Sequence, residues 1–168
     1  MTASFQPARV FDFHGKTAVV TGGGNGIGQG VALALALAGA KVAVFDHDGQ
    51  AAQATCERIQ AQGGSAWPYT VDVTQESQVE AAMQSFHDSC GRIDILVNNA
   101  GIAIRRPTLE LSLADWQKVL DVNLTGVFIC ARAAARFMVP QQSGCMVNTA
   151  SIMGLSGGGL YPNISYQS

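Results

Sequence analysis

Short apolar runs alternate with helix-like segments along most of the chain, which is the pattern of an α/β protein. Five runs predict strands, namely Thr17–Val20, Lys41–Phe45, Ala66–Val71, Ile93–Val97 and Cys145–Asn148. Because strands separated by helices pair in parallel through right-handed crossovers, we expect a Rossmann-like doubly wound parallel sheet with helices on both faces. Pro68 would remove a ladder N–H from the third strand, which is therefore expected at an edge of the sheet.

The segments between these runs predict helices near residues 31–38, 50–61, 75–89 and 112–138. Thr74 is expected to cap the third helix, because its hydroxyl can accept a hydrogen bond from a first-turn N–H. Ser112 and Asp115 resemble a capping box at the start of the fourth helix, and Pro140 is expected to end it. The composition of residues 156–163 predicts a loop.

A glycine-rich stretch, Thr21–Gly28, lies between the first strand and the first helix. Glycine tolerates positive φ and has no Cβ to keep a diphosphate from the backbone, and the helix N-terminus that follows favours anions. Strict G-x-G-x-x-G and Walker A spacings are both absent, so a nucleotide-binding turn and a structural glycine turn remain open. The candidate cofactor residues of this stretch are Gly22, Asn25, Gly26, Ile27 and Gly28.

Asp46 follows the second apolar run. In a dinucleotide-binding fold an acid at this place accepts both adenosine ribose hydroxyls, and its charge opposes a 2′-phosphate. Its neighbours are His47 and Asp48 rather than an arginine, which favours NAD over NADP. The alternative is a solvated turn aspartate.

Two further candidates end the third and fourth strands, at the sheet edge where ligands bind in α/β proteins. Asp72 could meet the adenine edge of a cofactor, although a role at the entry to the next helix explains it nearly as well. Asn98 to Gly101 combine amides with small residues, so that the backbone at Asn99, Ala100 and Gly101 could approach a cofactor; an ordinary polar turn is the alternative.

Composition narrows the classes of function. With 168 residues and 48% hydrophobic content, the chain suits one compact domain over residues 1–168, and a net charge of −2 argues against a nucleic-acid surface. The four cysteines lack metal-ligand spacing, so no metal site and mostly buried, reduced thiols are expected. We see no secretory signal and no apolar stretch free enough of polar groups to span a membrane, and we expect a cytoplasmic protein without a membrane partner.

The motifs, taken together and in order, resemble the short-chain dehydrogenases/reductases from about Gly15 to Ser168. The matching positions are Thr21, Gly22, Gly26, Ile27, Gly28, Asp72, Val73, Asn98 to Gly101, Asn123, Ser151 and Tyr166. The resemblance implies an NAD-dependent oxidoreductase acting on a small alcohol or carbonyl substrate, in a homo-oligomer (dimer or tetramer). It also implies that Tyr166 exchanges a proton with the substrate hydroxyl and that Ser151 hydrogen-bonds the reacting oxygen. The spacing from Ser151 to Tyr166 resembles members that act on sugars or polyols.

One feature of the family pattern lies beyond this sequence. The family places a lysine four residues after the tyrosine, where its charge favours the phenolate and where Asn123 would be tied to it through water. That position would be 170, whereas the sequence ends at Ser168. We therefore expect the C-terminal part of the fold to be missing, and chemistry by Ser151 and Tyr166 alone to be severely impaired, since an ordinary tyrosine has a pKa of about 10.

Alternatives remain for the catalytic positions and for the function. Alone, Ser151 would be read as a capping serine, Tyr166 as a terminal aromatic residue and Asn123 as a polar helix residue. A catalytically inactive nucleotide-binding fragment, associating through its exposed fifth strand, is the main alternative function. A methyltransferase would account for Asp46 but leaves the other motifs without roles.

Overall fold

A computed structural model of the protein describes residues 11–156 and 164–167. Its five strands form one parallel sheet in the order β3-β2-β1-β4-β5. Their bounds are Thr17–Thr21 (β1), Lys41–Asp46 (β2), Ser65–Thr70 (β3), Ile95–Asn98 (β4) and Cys145–Asn148 (β5). The predicted fold class is confirmed, and Pro68 lies on the edge strand β3, opposite Val44 of β2.

The helices follow the strands in alternation, as the pattern predicts. Their bounds are Gly26–Leu37 (α1), Gly49–Gln60 (α2), Glu76–Cys90 (α3), Leu113–Leu120 (α4), Gly126–Gln141 (α5), Met153–Ser156 (α6) and Ile164–Gln167 (α7). Ser156 thus ends α6, whereas residues 157–163, the rest of the predicted loop, lie outside the described residues.

Alternate residues of the central strands point to opposite faces of the sheet, and each face has its own apolar core. Val19 and Phe45 pack with α3 and α5, whereas Val20 and Val44 pack with α1 and α2. All four are fully buried, which explains why β1 and β2 are continuous apolar runs rather than alternating ones. The sheet order reverses between β1 and β4, so the carboxyl ends of these two strands border the crevice where doubly wound folds bind ligands.

Two local predictions about helix ends are wrong. Gln75, not Thr74, precedes α3, and the Thr74 hydroxyl and N–H both donate to Asp72 Oδ1, at 2.8 and 2.9 Å. The aspartate carboxylate therefore organises this turn. Pro140 does not end α5 but lies inside its last turn, and the helix extends to Gln141. The helix tolerates this proline because only the Arg136 carbonyl loses its hydrogen-bond partner, and Arg136 is exposed.

The predicted single helix over 112–138 is divided. Ser112 caps its start, its Oγ accepting from the Asp115 N–H at 3.0 Å, as expected. A π-helical turn, Asp121–Thr125, then separates α4 from α5. Sequence periodicity did not reveal this turn, which carries Asn123. Since π-turns occur often at functional sites, its position is relevant to the site below.

The helical region Leu113–Gln141 is long and apolar enough to cross a membrane by length and composition, contrary to our expectation for this sequence. Its most apolar 18-residue window has a mean hydropathy of 1.4, and a third of that window is buried. Within this region, Ile129, Cys130, Ala133 and Ala134 of α5 pack into the core against the sheet and α3. The fold therefore uses part of this apolar character for its own core.

The edge strand β5 is exposed along its length, including Val147 at 49% exposure. Cys145 lies on it, so the expectation of buried thiols is wrong for this residue. Cys56 and Cys130 are buried, and burial raises the pKa of each thiol to about 12, while Cys90 is half-buried. Across the described residues all four cysteines are free thiols, and no group of three or more His, Cys, Asp or Glu is placed to hold a metal ion.

Candidate cofactor site

The glycine-rich stretch forms the turn between β1 and α1. Gly22 and Gly26 have φ of +62° and +55°, conformations that L side chains rarely adopt. Gly28 has no such requirement, but a Cβ on it would lie 2.1 Å from the Gly22 carbonyl oxygen and 2.5 Å from Asn99 Nδ2. Gly28 therefore lets the start of α1 pack against the turn itself.

Thr21 joins this turn to the end of β4. Its buried hydroxyl accepts from the N–H groups of Asn99 and Ala100, at 3.0 and 3.1 Å. The Asn99 side-chain amide donates back to the carbonyls of Thr21 and Gly22, at 3.2 and 3.3 Å. A Cβ on Gly22 would lie 2.9 Å from Ala100 Cα, so the two strand ends are held in close contact.

The start of α1 is open to an anion. Asn25 precedes the helix with extended backbone and, within the described residues, makes no side-chain capping hydrogen bond. Asn25 and Ile27 are exposed, Ile27 at 72%. The first-turn N–H groups of a helix have no intrahelical partners and carry the positive end of its dipole, so this geometry suits a diphosphate.

Asp46 ends β2 with its carboxylate only 7% exposed. Oδ2 accepts from the Gly24 N–H at 2.9 Å, and Oδ1 accepts from the Asp48 N–H at 3.0 Å. The acid therefore braces the glycine turn, and it also lines the cleft described next. Each carboxylate oxygen has further acceptor capacity, which leaves room for ligand hydroxyls.

A cleft of about 510 Å³ opens along the carboxyl ends of the strands. Nine of the eleven predicted cofactor residues line it: Gly22, Asn25, Gly26, Asp46, Asp72, Val73, Asn99, Ala100 and Gly101. The two others, Ile27 and Gly28, lie in the first turn of α1. The Asp72 carboxylate orders the entry to α3, which is one of the two roles considered for it, and Asp72 also borders the cleft.

Five residues of the cleft were not predicted as site residues, namely His47, Val71, Ile102, Lys118 and Val122. Val71 and Ile102 are adjacent in the sequence to the predicted residues Asp72 and Gly101, and only this adjacency could have indicated them. His47 directly follows Asp46, and its imidazole Nδ1 lies 3.1 Å from Asp46 Oδ1. Lys118 and Val122 come from the α4 region, and a single lysine on a helix gives no sequence signal of this position.

Asn123 lies in the π-helical turn, and both ends of its amide hold one backbone segment. Oδ1 accepts from the Ile102 N–H at 2.8 Å, and Nδ2 donates to the Ile102 carbonyl at 2.9 Å. A Cβ on Gly101 would lie 3.5 Å from the same Oδ1. Asn123 therefore fixes the chain that leaves Asn99–Gly101, at the end of the cleft bounded by Ile102.

Ser151 and Tyr166 lie after β5. Ser151 is half-buried, and its Oγ accepts from the Met153 N–H at 3.2 Å, so it caps the entry to α6 as the simple alternative predicted. Tyr166 is half-buried in α7, which contacts α6 and α4. The structure thus places α7, which carries Tyr166, against α6, which follows Ser151. Neither Ser151 nor Tyr166 is among the described residues that line the cleft.

The sequence matches the model of one protein family, described as short chain dehydrogenase, over residues 16–166. This match covers most of the chain and includes both the glycine turn and Tyr166. The chain belongs to the short-chain dehydrogenase family. The doubly wound fold described above is therefore that of a short-chain dehydrogenase.

Individual short-chain dehydrogenases resemble the chain closely. It is 41% identical over 143 residues to the 3-oxoacyl-[acyl-carrier-protein] reductase of Synechocystis sp., covering 84% of this chain and 58% of the relative. It is 39% identical over 153 residues to the D-threitol dehydrogenase of Mycolicibacterium smegmatis, covering 90% and 59%. The solved structure of an NAD⁺-bound xylitol dehydrogenase superposes with a TM-score of 0.87 at 35% identity, covering 92% of this chain and 59% of that one.

The chain thus spans somewhat less than three fifths of the length of these two curated short-chain dehydrogenases. The two relatives are almost equally similar to it, yet their names describe different substrates. Overall similarity therefore supports the family and its oxidoreductase chemistry, but it does not by itself identify the substrate.

Proposed function

We propose that the protein is an oxidoreductase that transfers a hydride between NAD and a secondary alcohol or ketone. The observation that carries this proposal is the cleft at the switch point of the sheet, which combines a glycine-rich turn with the buried acid Asp46. Such a turn suits a diphosphate, and an acid at the end of β2 suits an unphosphorylated ribose.

The residues of the cleft fit a dinucleotide along its length. Gly22, Asn25, Gly26, Ile27 and Gly28 would hold the diphosphate against the turn and the start of α1. Asp46 would accept the adenosine ribose hydroxyls, while Asp72 and Val73 would border the adenine. Asn99, Ala100 and Gly101 would support the part of the cofactor nearer to the substrate. Bound nicotinamide supplies the hydride acceptor or donor, which no amino-acid side chain can provide.

Tyr166 is proposed as the acid/base that exchanges a proton with the substrate hydroxyl, and Ser151 as the donor to the reacting oxygen. The bond from the Met153 N–H to Ser151 Oγ uses the serine as an acceptor and leaves its O–H free to donate. Asn123 is proposed to act on catalysis through position, because it holds the Ile102 backbone at the end of the cleft.

A sugar or polyol is the substrate class we propose. The support comes from the spacing between Ser151 and Tyr166 and from the similarity to a D-threitol dehydrogenase and an NAD⁺-bound xylitol dehydrogenase. The alternative substrate is a 3-oxoacyl thioester, because the chain is also similar to a 3-oxoacyl-[acyl-carrier-protein] reductase. Secondary alcohols with several hydroxyls and a 3-oxoacyl thioester should therefore be compared as substrates.

The test is oxidation of a polyol panel with NAD⁺, followed by the absorbance of reduced nicotinamide, in the 168-residue chain, whose turnover is expected to be low, and in its Tyr166→Phe variant. Loss of the general acid/base should lower turnover by at least about a hundredfold. Tyr69→Phe is the matched control, since Tyr69 is half-buried on β3 and its hydroxyl contacts only Ser85 among the described residues, at 3.5 Å. A Tyr166→Phe protein as active as Tyr69→Phe would overturn the assignment.

A second candidate function is a non-catalytic nucleotide-binding fragment that associates with another chain through β5. The exposed edge of β5 favours it, because an uncovered strand offers unpaired backbone groups to a partner. Light scattering tests this candidate. A stable monodisperse monomer, or hydride transfer by the chain alone, would count against it.

For the enzyme we propose a single domain, a cytoplasmic location and a homo-oligomer, either dimer or tetramer.

A further inference from the structure

Gly24, in the middle of the glycine-rich turn, is held by side chains from three elements of the fold. Its carbonyl accepts from Gln29 Nε2 of α1 and from Thr55 Oγ1 of α2, both at 3.0 Å. Its N–H donates to Asp46 Oδ2 at the end of β2, at 2.9 Å. Most backbone groups in folded proteins pair with other backbone groups, whereas both groups of Gly24 bond to side chains. The conformation of the turn at this residue therefore depends on those three side chains.

The two donors to the Gly24 carbonyl are also bonded to each other. Gln29 Nε2 donates to Thr55 Oγ1 at 2.9 Å, so the two hydrogens of this amide have two acceptors. Gln29 Oε1 accepts from the exposed Arg58 of α2, which fixes the orientation of the amide. Thr55 is fully buried, and the single hydrogen of its hydroxyl is directed to the Gly24 carbonyl. Since each donor of these two side chains has an acceptor, the network favours a single arrangement of the turn.

Gly24 lies behind the cleft rather than in its wall. Asn25 and Asp46 line the cleft, whereas the buried Gly24 is not among the described residues that do so. A Cβ on Gly24 would lie 2.7 Å from Ala51 Cβ of α2 and 2.8 Å from Asp46 Oδ2, so this peptide fits closely between the helix and the carboxylate. A displacement of Gly24 would therefore shift Asn25 along the chain and Asp46 through its hydrogen bond.

From these contacts we infer that Gln29 and Thr55 are positioning residues for the cofactor, which act through Gly24 on the turn and on Asp46. The inference deepens the proposed function and rests on it. Neither side chain is among the described residues that line the cleft, so their contribution is preorganisation rather than contact. A turn that is already held in its binding conformation loses less conformational entropy when the diphosphate and the ribose bind.

Removal of one donor should weaken binding of the cofactor without abolishing it. Thr55→Val keeps the shape of the side chain and removes its hydroxyl. We expect it to raise the NADH Kd about fivefold, the change in an equilibrium constant that one neutral hydrogen bond typically makes. Binding of ADP-ribose should weaken by the same factor, because this ligand carries the diphosphate and the adenosine ribose but no nicotinamide. Thr55→Ser keeps the hydroxyl and should restore the wild-type Kd values.

The experiment measures the Kd of NADH and of ADP-ribose by calorimetry, and the unfolding free energy by urea denaturation, for each variant of the 168-residue chain. Thr17→Val is the matched control, because it also removes a buried threonine hydroxyl. Thr17 begins β1, at the end of the sheet away from the cleft, and its Oγ1 donates to the Arg92 carbonyl at 2.8 Å. Both valine variants should lower the unfolding free energy, whereas only Thr55→Val should change the two Kd values.

Gln29→Met removes the other donor from a half-buried position, and it keeps the test decisive if Thr55→Val does not fold. It should raise both Kd values by a similar factor. Wild-type Kd values in folded Thr55→Val or in Gln29→Met would overturn the inference while leaving NAD binding intact, as would an equal rise in Thr17→Val. Failure of the folded wild-type chain to bind NADH would instead overturn the proposed function, and the inference with it.

Discussion

Alanine substitution at two glycines of α1 should change the stability of the protein in opposite directions. Gly28 and Gly30 are two residues apart in one helix, so replacing either by alanine makes the same change in helix propensity. A Cβ at Gly28 would lie 2.1 Å from a backbone oxygen of the glycine turn, whereas one at Gly30 would have no neighbour within 4 Å among the described atoms. Comparing the two variants therefore separates the steric cost of a Cβ at Gly28 from the gain in helix propensity that alanine gives at both positions.

The expected magnitudes follow from these contacts. Gly30→Ala should increase the free energy of unfolding by about 0.5–1 kcal/mol, the usual gain of alanine over glycine in a helix. Gly28→Ala gains the same amount but must move backbone, and overpacking of this kind costs about 1–3 kcal/mol or more. Since the contact is with backbone and far inside van der Waals distance, we expect a net loss of about 2 kcal/mol.

Urea denaturation followed by circular dichroism measures the difference directly. The two variants should keep the wild-type m-value, and their midpoints should move to opposite sides of the wild-type value. Their free energies of unfolding should differ by about 3 kcal/mol, or about 6–12 °C in melting temperature. Equal stabilities of Gly28→Ala and Gly30→Ala would refute the close packing of α1 on the glycine turn.

Two further predictions concern charge and thiols. Burial raises the pKa of Asp94, but hydrogen bonds from Arg92 and Thr17 outweigh it and lower the pKa overall. Asp94→Asn should therefore cost about 2 kcal/mol of unfolding free energy near neutral pH, and less below about pH 4, where the carboxylate protonates. An equal difference in unfolding free energy between wild type and Asp94→Asn at neutral and acid pH, measured by urea denaturation, would contradict this. A disulfide reagent should modify Cys145 rapidly but reach the buried Cys56 only on unfolding, and rapid labelling of both would contradict the burial.

The apolar pattern predicted the sheet because its central strands are buried on both faces. Val19, Val20, Val42 and Val44 are fully buried, so their segments read as continuous apolar runs between helices. Most of the cofactor candidates were predictable for a related reason. The carboxyl ends of parallel strands meet at one edge, which brings Asp46, Asp72 and Asn99 into one cleft.

Features that depend on tertiary contacts could not be predicted in this way. The π-helical turn around Asn123 has no periodicity signal, because it is defined by one displaced turn within an apolar helix. Lys118 reaches the cleft only because α4 lies across the strand ends. Thr74 was a reasonable cap by residue type, but Asp72 competes for its hydroxyl, and that choice depends on local geometry.

Calorimetric titration of the folded 168-residue chain measures directly whether the cleft binds NAD. NADH, NADPH and S-adenosylmethionine should be titrated under the same conditions near pH 8. We expect saturable binding of NADH at one site per chain, weaker binding of NADPH because of Asp46, and no binding of S-adenosylmethionine. Binding of S-adenosylmethionine in preference to NADH, or no binding of NADH by the folded chain, would contradict this expectation.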